Sequence, residues 1–447
     1  MAMECISTYS VRINEYRNIF NDTAKIYRGA VNFFIAVIND NWSSFSGLSS
    51  KKAVNTAERL TVVSKKRPTV RYDFSMAFYK FPSYLRRAAI AQAFGLVSSY
   101  RSNFVKWESS DARTRGKKPS VPKAGFVYPS MYRDNCYVRT ETYTASIKAF
   151  IRNTWDWLDV TFRKSDVDYI NQHCSDREEC VPTLRKRGKR WYLDFAFKSK
   201  HQLSDTPVKE QKIIAVDLGI NSSCACVCMQ SDGTVLGRKF LKLSREYDSL
   251  NRKIGHVKYA QRHGSVNVSR LWKYADGIND DIAVKTAAFI VNAAVKYDAD
   301  VIVFEHLDLN GKKRGSHKQR LHLWKAKYVM GIVTDRAHRL GMRVSTVNAW
   351  GTSRLAFDGS GKVKRGSESE KISSNYSLCE FANGKIYNCD LNAAYNIGAR
   401  YFIRELTKSL PVTDGQRISA KVPECAKRST CTLSTLISLN AELHAAA

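Results

Sequence analysis

Three acidic residues in the second half of the chain each stand at the edge of an apolar segment, and this pattern restricts the fold more than any other feature. Asp217 ends the run IIAVD and Glu305 ends the run VIVFE, and both runs are typical of buried strands. Asp390 opens a helical segment in NCDLNAAYNIG. Intervals of 88 and 85 residues separate the three, so only a tertiary fold can bring their carboxylates together.

The position of each acid within its segment favours a fold in which the three carboxylates lie close together. Strand residues alternate between faces, so Asp217 shares a face with Ile213 and Ala215 and arrives at the carboxyl end of its strand, where open α/β sheets place their chemistry. Asp390 falls in the first turn of a helix, where the dipole favours negative charge. Gathered carboxylates repel one another unless a cation lies between them, and proteins hold Mg²⁺ against a phosphodiester in this way. Taken singly, each acid more often ends an element at the surface.

The charge of the chain favours a polyanionic partner. The 447 residues suffice for two to four domains at about 100–200 residues each. Lys and Arg total 72 against 41 Asp and Glu, and the net charge of +31 favours nucleic acid over the alternative, an anionic membrane surface. No apolar run reaches the roughly 18–20 residues of a membrane-spanning helix, and the start, MAMECISTYSVRINEYRN, has no signal-peptide core. A soluble, intracellular protein is therefore expected.

The eleven cysteines do not predict a disulfide framework. Their number is odd, no secretion signal precedes them, and no CxxC pair occurs. Cys224, Cys226 and Cys228 alternate in CACVC, as small residues on one face of a strand do. This spacing favours core packing over metal binding.

The first 200 residues change from helical to strand periodicity. Residues 3–11 are compatible with a short strand, and residues 12–39 and 83–107 have apolar positions at helical spacing. From about 125 to 200, aromatic and β-branched residues alternate between turn residues, which predicts a small antiparallel β module. Within it, PTLRKRGKRWYLDFAFK predicts a hairpin with Gly188 in its turn.

A third type of segment begins at residue 211. IIAVD, CACVCMQ and TVLGRKFL predict a meander of three strands around the turn SDG. The segments that follow are predicted as helices at 244–263, 268–297 and 319–340, with Gly341 as a C-cap, as the strands VIVFE and MRVSTVNAW, and as the helix opened by Asp390. These are the elements of an RNase H-type α/β layer.

Three motifs in this region resemble those of the split RuvC nuclease in TnpB proteins and the compact type V CRISPR effectors. DLGIN at 217–221, FEHLDL at 304–309 and DLNAAYNIG at 390–398 match the first, second and third motifs. The segment KAKYVMGIVTDRAHRLGMRVSTVNAWGTS also matches the family's approach to its zinc ribbon. The resemblance implies that Asp217, Glu305 and Asp390 are catalytic, bind two Mg²⁺ ions, for which Mn²⁺ can substitute, and cleave DNA chosen by a guide RNA.

The resemblance also implies a multidomain α+β fold, in which a RuvC nuclease domain joins a β-barrel wedge domain with an inserted helical recognition domain. The expected boundaries are 1–11 for the first wedge strand, 12–124 for the recognition domain, 125–200 for the wedge barrel, 201–210 for a linker, 211–350 for the nuclease, 351–388 for a degenerate zinc-ribbon-like insertion or lid, 389–406 for the final nuclease helix, and 407–447 for the tail.

The chemistry expected of such a site is two-metal hydrolysis. Two ions roughly 4 Å apart activate the attacking water and stabilise the departing 3′ oxygen, with Asp217 as the bridging ligand. The partners implied by the resemblance are a guide RNA, transposon-derived or a crRNA with its tracrRNA, and double-stranded target DNA with a short flanking motif. No membrane is involved, and the expected location is the prokaryotic cytoplasm, at the nucleoid when the protein is on its target.

The chain departs from the family pattern at the zinc ribbon. Ala356 and Gly359 stand where the first cysteine pair would be, and Cys379 has Ala382 at its partner position. A structural zinc needs four ligands, so we expect no zinc and a ribbon held by packing or present as a lid. In this departure the chain resembles lineages of TnpB-like proteins that lie between transposon nucleases and CRISPR effectors. Cys389 stands where the family often has Arg, so one phosphate contact is expected to be missing.

Basic clusters at 65–67, 113–118, 185–190 and 312–320 are candidate contacts with RNA or DNA, although each alone is more often a solvated face. The candidate nucleic-acid-binding residues are Lys65, Lys66, Arg67, Lys117, Lys118, Arg185, Lys186, Arg187, Lys189, Arg190 and Arg354. Interleaved aromatic residues, Trp107 and Trp191 among them, could stack bases, but core packing is favoured for most of them.

Two other functions are compatible with the sequence. An RNase H-fold transposase or junction resolvase would use the same metals without a guide. A non-cleaving RNA-guided DNA-binding protein would be expected to carry a substituted triad, and all three acids are present here. A protein of the membrane surface is disfavoured because no basic amphipathic helix stands out.

Overall fold

The computed structural model describes residues 2–15, 17–113, 115–219, 224–307, 325–372, 377–409 and 430–445. The chain forms two compact units, one of Ile6–Ser199 and one of Met1–Cys5 with Lys200–Ala447. The mixed α/β multidomain fold that the sequence predicted is confirmed. No helix in the described ranges is long and apolar enough to cross a membrane.

After its first strand, the first unit contains four helices whose apolar faces form one core. They are α1 (Arg17–Asp40), α2 (Ser50–Thr61), the single turn α3 (Phe74–Ala77) and α4 (Ser83–Glu108). The predicted helices at 12–39 and 83–107 are α1 and α4. Aromatic rings fill the space between them, and Phe74 stacks on Phe34 and Phe78 with ring centroids 5.0 and 4.8 Å apart.

The strands of the first unit form two separate sheets. Their bounds are β1 (Ala2–Ile13), β2 (Tyr137–Glu141), β3 (Thr144–Ile151), β4 (Thr154–Thr161), β5 (Glu178–Glu179), β6 (Thr183–Arg187) and β7 (Arg190–Gln202), with α5 (Lys164–Cys174) after β4. One sheet contains β1, β7, β5 and β6, and the other contains β2, β3 and β4. The predicted hairpin is β6–β7, with Gly188 at φ +60° in its turn. Among the described residues no closed barrel is seen, in contrast to the predicted wedge barrel.

The second unit contains the predicted α/β elements in the predicted order. They are β8 (Lys212–Leu218), β9 (Cys224–Gln230), β10 (Val235–Phe240), α6 (Ser244–Arg262), α7 (Ser269–Lys296), β11 (Val301–His306), α8 (Ala326–Arg339) and β12 (Arg343–Asn348). After them come β13 (Lys364–Arg365), β14 (Leu378–Glu380), β15 (Ile386–Asn388), α9 (Cys389–Ser409) and α10 (Leu433–Ala445). Gly341 follows α8 at φ +77°, as predicted for its C-cap. Helix α10 lies in the tail, where the sequence predicted no firm element.

The main sheet of this unit has the strand order β10–β9–β8–β11–β12 and a helical layer on each face. Strands β8, β11 and β12 are parallel, and β9 and β10 are antiparallel to their neighbours. One face packs on α7 and α8 and contains Cys224, Cys226 and Cys228, so the predicted core role of these cysteines is confirmed. The opposite face, with Ile213 and Ala215, packs on α9 and α10.

Helix α9 lies unusually close to the sheet at Gly398. A Cβ atom added there would lie 3.0 Å from the Met229 sulfur and 3.3 Å from the Ala215 Cβ atom. Distances this short leave no room for a side chain, so Gly398 sets how closely α9 can pack on β8 and β9. The same helix carries Asp390 in its first turn, eight residues before Gly398.

We predict that Gly398→Leu lowers the free energy of unfolding by about 1–3 kcal/mol, because the added side chain must push α9 from the sheet. Gly331→Ala in α8 is the matched control. A Cβ atom at Gly331 meets nothing within 4 Å, so alanine should raise stability by about 0.5–1 kcal/mol. Urea denaturation of both variants gives the comparison. A tolerated leucine at 398 would show that α9 is not held closely at this point.

Candidate active site

Asp217 and Glu305 lie side by side at the carboxyl ends of two parallel strands. Phe304 of β11 pairs with Val216 of β8, so Glu305 and Asp217 are the next residues along each strand. Neighbouring strands lie about 4.8 Å apart, and alternation turns both acids toward the sheet face that α9 covers. Both side chains are half-buried. The two acids that the sequence placed at strand ends are thus neighbours in the sheet.

Asp390 comes to the same end of the sheet from α9. It is half-buried in the first turn of that helix, and its charge raises the pKa of Asp217. The two carboxylates are therefore within electrostatic reach although they lie far apart in the sequence. The structure brings all three predicted acids to one end of the main sheet.

The pKa of Asp217 is raised well above its ordinary value. Burial is the largest cause, and the charges of Glu305 and Asp390 add to it. Burial also raises the pKa values of Glu305 and Asp390. Three carboxylates whose ionised forms are disfavoured by burial, and in Asp217 also by the other two charges, make this end of the sheet a site that would attract a cation.

Glu305 has two partners that favour its ionised form. The Thr352 hydroxyl donates a hydrogen bond to its carboxylate, and the charge of Arg400 lowers its pKa. The Arg400 side chain is only 3% exposed and donates to the carbonyl oxygens of Asn348 and Trp350, each at 2.8 Å. Burial lowers the pKa of Arg400 to about 10. Arg400 thus connects α9 to the chain after β12 while its charge supports Glu305.

Two buried asparagines of α9 hold the segment that carries Thr352. The Asn396 side chain donates to the carbonyl oxygens of Thr352 and Leu355 at 2.9 and 2.8 Å. Asn392 accepts from the Phe357 backbone N–H at 2.8 Å and donates to the Leu355 carbonyl at 2.8 Å. The motif DLNAAYNIG therefore supplies one acid and also positions the hydroxyl that contacts another.

Arg365 is, like Arg400, a cationic residue near the acids that the sequence did not predict. Its charge lowers the pKa values of Asp217, Asp390 and Cys389. It lies on β13, which pairs with β14 so that Arg365 stands opposite Cys379. The sequence expected a missing positive charge at position 389, and the structure places another guanidinium nearby. Only the cluster KVKR in the insertion could have hinted at it.

The insertion at 351–388 is organised by aromatic packing. Phe357 contacts Phe381, Tyr387 and Tyr395 with ring centroids 5.4, 5.1 and 5.0 Å apart. Ala356, Cys379 and Cys389 are buried in the same cluster, beside the three-stranded sheet of β13, β14 and β15. Packing accordingly holds this region together. The expectation that it carries no zinc stays a prediction, which metal analysis of the purified protein tests.

The donor set fits a divalent cation by its chemistry. Carboxylate oxygens are preferred ligands of Mg²⁺, and ionisation of all three acids is disfavoured while no cation is near. Within the described ranges, no three His, Cys, Asp or Glu side chains stand close enough together to hold an ion. The side chains of the acids would therefore have to turn toward a shared ion before they could bind it together.

The basic candidates of the β6–β7 hairpin are partly engaged by the protein itself. Arg185 and Arg187 form ion pairs with Asp194 at 3.3 and 2.9 Å. Asp194 is 4% exposed, so its charge needs these partners. Lys186 donates to the Asn21 side chain at 2.6 Å. Lys189, in the turn, and Arg190, at the start of β7, are exposed and remain the better candidates for an external ligand.

The other basic candidates are scattered over exposed loops. Lys65 and Lys66 form the tip of a small turn closed by pairing of Ser64 with Arg67. Lys118 lies 5.9 Å from the Trp107 ring, and Lys117 is exposed beside it. Arg354 is exposed in the insertion. The cluster at 312–320 lies outside the described residues.

Sequence comparison places the chain in a family. The model of the Aq_aa04 family matches residues 7–151. The uncharacterized protein aq_aa04 of Aquifex aeolicus (strain VF5) is 31% identical over 127 residues, which cover 28% of this chain and 68% of that protein. The chain belongs to the Aq_aa04 family.

This Aq_aa04-family chain is also related to TnpB-like protein aq_aa05 of Aquifex aeolicus (strain VF5). The two are 29% identical over 243 residues, or 48% of this chain and 74% of that protein. The Cas12f1–sgRNA–target DNA complex, solved by cryo-EM, contains a chain of the same fold, with a TM-score of 0.53, 12% identity, and coverage of 85% of this chain and 81% of that one. The predicted resemblance to TnpB proteins and compact type V effectors is confirmed.

We predict that Asp217→Asn stabilises the metal-free protein at neutral pH. The pKa of Asp217 is raised in the folded state, so the folded state binds more protons than the unfolded chain between the two pKa values. The free energy of unfolding therefore falls as pH rises through the folded pKa. Asparagine carries no charge, so the free energy of unfolding of the variant should fall less as pH rises.

The measurement is urea denaturation in EDTA at about pH 5 and about pH 8. These two values lie on either side of the pH range in which acids with raised pKa values titrate. Asp298→Asn is the control, because the Asp298 side chain is 98% exposed in the same unit and should change stability little. If Asp217→Asn were less stable than the parent protein at the higher pH, the carboxylate would be stabilised by its surroundings and not strained by them.

Proposed function

We propose that this chain is an RNA-guided DNA endonuclease that hydrolyses phosphodiester bonds with divalent metal ions. The observation that carries the proposal is the convergence of Asp217, Glu305 and Asp390 at one end of the main sheet, where burial and then the other two charges raise the pKa of Asp217. A structural role alone does not account for three mutually repelling carboxylates at the edge of a well-packed core.

Asp217, Glu305 and Asp390 would hold the two Mg²⁺ ions. Bound there, the ions would supply Lewis-acid activation of water and stabilisation of the departing oxygen. Thr352 and Arg400 would keep the Glu305 carboxylate ionised and oriented.

Arg365 would contact the phosphate. A guanidinium binds phosphate oxygens in pairs and keeps its charge at any physiological pH. Its position beside Asp217 and Asp390 would place it near a phosphodiester held by the metal ions. It would thus supply the contact that Cys389 cannot make.

The binding of guide and target is proposed from the relatives and from charge. One relative is named TnpB-like, and the protein of like fold was solved with sgRNA and target DNA. A net charge of +31 suits a protein that binds nucleic-acid backbones. Base pairing with the guide would select the target, while basic residues such as Lys189 and Arg190 would contact phosphates.

The organisation proposed for the chain follows from these roles. Residues 12–124 would recognise the guide–target duplex, and residues 125–200 would hold the guide and the flanking motif. Residues 211–350 and 389–406 would form the nuclease, with 351–388 as its insertion.

We predict that Asp217→Ala lowers the rate of target cleavage at least about 10³-fold, because a metal ligand is lost. Binding of guide RNA and of target DNA should change less than about twofold, since the acid adds no attraction for phosphates. Cleavage assays with the copurified RNA and a plasmid carrying its match measure the first quantity, and gel-shift titration measures the second. Asp298→Asn, remote and exposed, should cleave normally.

Two results would count against this prediction in different ways. Loss of nucleic-acid binding together with cleavage would assign Asp217 a structural role. Absence of any bound RNA of defined length from the protein purified from its host would favour a nuclease that works without a guide, such as a transposase or resolvase.

We predict that Arg365→Gln lowers the cleavage rate roughly tenfold or more, because a positive charge at the developing phosphate charge is removed. Arg365→Lys should recover part of the rate. The neighbouring Lys364→Gln is the matched control, since alternation along β13 turns position 364 to the opposite face. Single-turnover cleavage assays of the three variants measure these rates. Equal losses at 364 and 365 would mean that only the general charge of the insertion counts.

A further inference from the structure

The helical hairpin of α6 and α7 contains a cavity that the proposed nuclease site does not use. Its volume is about 840 Å³, within the range of roughly 300–1,000 Å³ that ligand sites occupy. Side chains from both helices line it, and those that matter for its chemistry are Arg245, Glu246, Arg270, Lys273, Tyr274 and Asp281. The cavity therefore combines an aromatic ring with charges of both signs.

Tyr274 presents its ring to the cavity instead of to the core. It is 53% exposed, and the Arg270 guanidinium lies 5.9 Å from the ring centroid. A hydrogen bond from Arg270 lowers the pKa of the Tyr274 hydroxyl, and the charges of Lys253 and Lys273 lower it further. An exposed ring surrounded by cations suits a ligand that has both a flat π surface and negative charge.

The lining of the cavity also includes hydrogen-bond acceptors. Lys285 forms ion pairs with Glu246 at 2.8 Å and with Asp281 at 2.7 Å. These contacts hold both carboxylates in place and lower the pKa of Glu246. Ionised carboxylates repel phosphate but accept hydrogen bonds from hydroxyl groups. A ligand that matches both kinds of group has a phosphate for the cations and hydroxyl donors for the carboxylates.

We propose that this cavity binds one unstacked ribonucleotide of a single-stranded RNA segment. The base would stack on Tyr274, the phosphate would contact Arg270 and Lys273, and the ribose 2′-hydroxyl would donate to Glu246 or Asp281. The 2′-hydroxyl is the group by which a protein distinguishes RNA from DNA at a given position. The inference rests on the RNA partner of the proposed function and assigns that partner a site on the nuclease unit.

The test begins with the full-length protein purified with its bound RNA. Ultraviolet crosslinking followed by mass spectrometry should find a ribonucleotide on the peptide that contains Tyr274. Affinity is then measured by fluorescence anisotropy with a 15-nucleotide single-stranded RNA and with DNA of the same sequence. Tyr274→Ala should weaken RNA binding about tenfold, whereas Tyr274→Phe, which keeps the ring, should change it less than about twofold.

Two residues of the same hairpin serve as matched controls. Tyr259 is 66% exposed on α6 and does not line the cavity, so Tyr259→Ala should leave RNA affinity unchanged. Arg270→Gln should reduce the dependence of binding on salt by about one phosphate contact, and Arg262→Gln, at the end of α6, should not. The substituted side chains are exposed, so folding should be unaffected.

The outcomes separate this inference from the proposed function. RNA that copurifies but crosslinks only elsewhere, or equal losses for Tyr259→Ala and Tyr274→Ala, would overturn the cavity assignment alone. Equal affinity of the cavity for RNA and DNA, with Tyr274→Ala weakening both alike, would overturn the assignment to RNA. Protein that carries no RNA would contradict the proposed function itself.

Discussion

The fold of the second unit has to hold three carboxylates at one end of its main sheet. Two of them end adjacent parallel strands, and the third starts the helix that covers the same sheet face. Burial, together with the charges of Glu305 and Asp390, raises the pKa of Asp217 and opposes folding at neutral pH. Apolar packing on both faces of the sheet outweighs this unfavourable contribution, because α7 and α8 cover one face while α9 and α10 cover the other. A site under this kind of strain is typical of places where a cation completes the structure.

Helix α9 shows how one short motif can meet several structural requirements. Its first turn supplies Asp390, its buried asparagines hold the segment that carries Thr352, and Gly398 permits close contact with the sheet. The segment that precedes it contains an aromatic cluster around Phe357. Burial of these rings helps to organise the small three-stranded sheet beside the acids.

The abundant positive charge of the chain is distributed among distinct tasks. Arg185 and Arg187 neutralise the buried Asp194, and Arg400 binds backbone carbonyls beside Glu305. Others, such as Lys189 and the cations around Tyr274, remain directed at solvent or at a cavity. A net charge predicts the kind of partner, whereas only burial and pairing decide which cations are available to bind it.

The sequence by itself determined the strands and helices of the main sheet, the burial of Cys224, Cys226 and Cys228, and the positions of the three acids at element ends. It could do so because apolar residues recur every two residues in a half-buried strand and about every 3.6 residues in a helix, and these patterns depend only on neighbouring residues in the sequence. Only the tertiary structure decided that the strands of the first unit form two sheets and not a closed barrel, that the tail contains α10, and that Arg365, Arg400 and Thr352 surround the acids. Those features depend on contacts between residues that are distant in sequence, such as Glu305 and Thr352, and no local pattern encodes which distant side chains will meet.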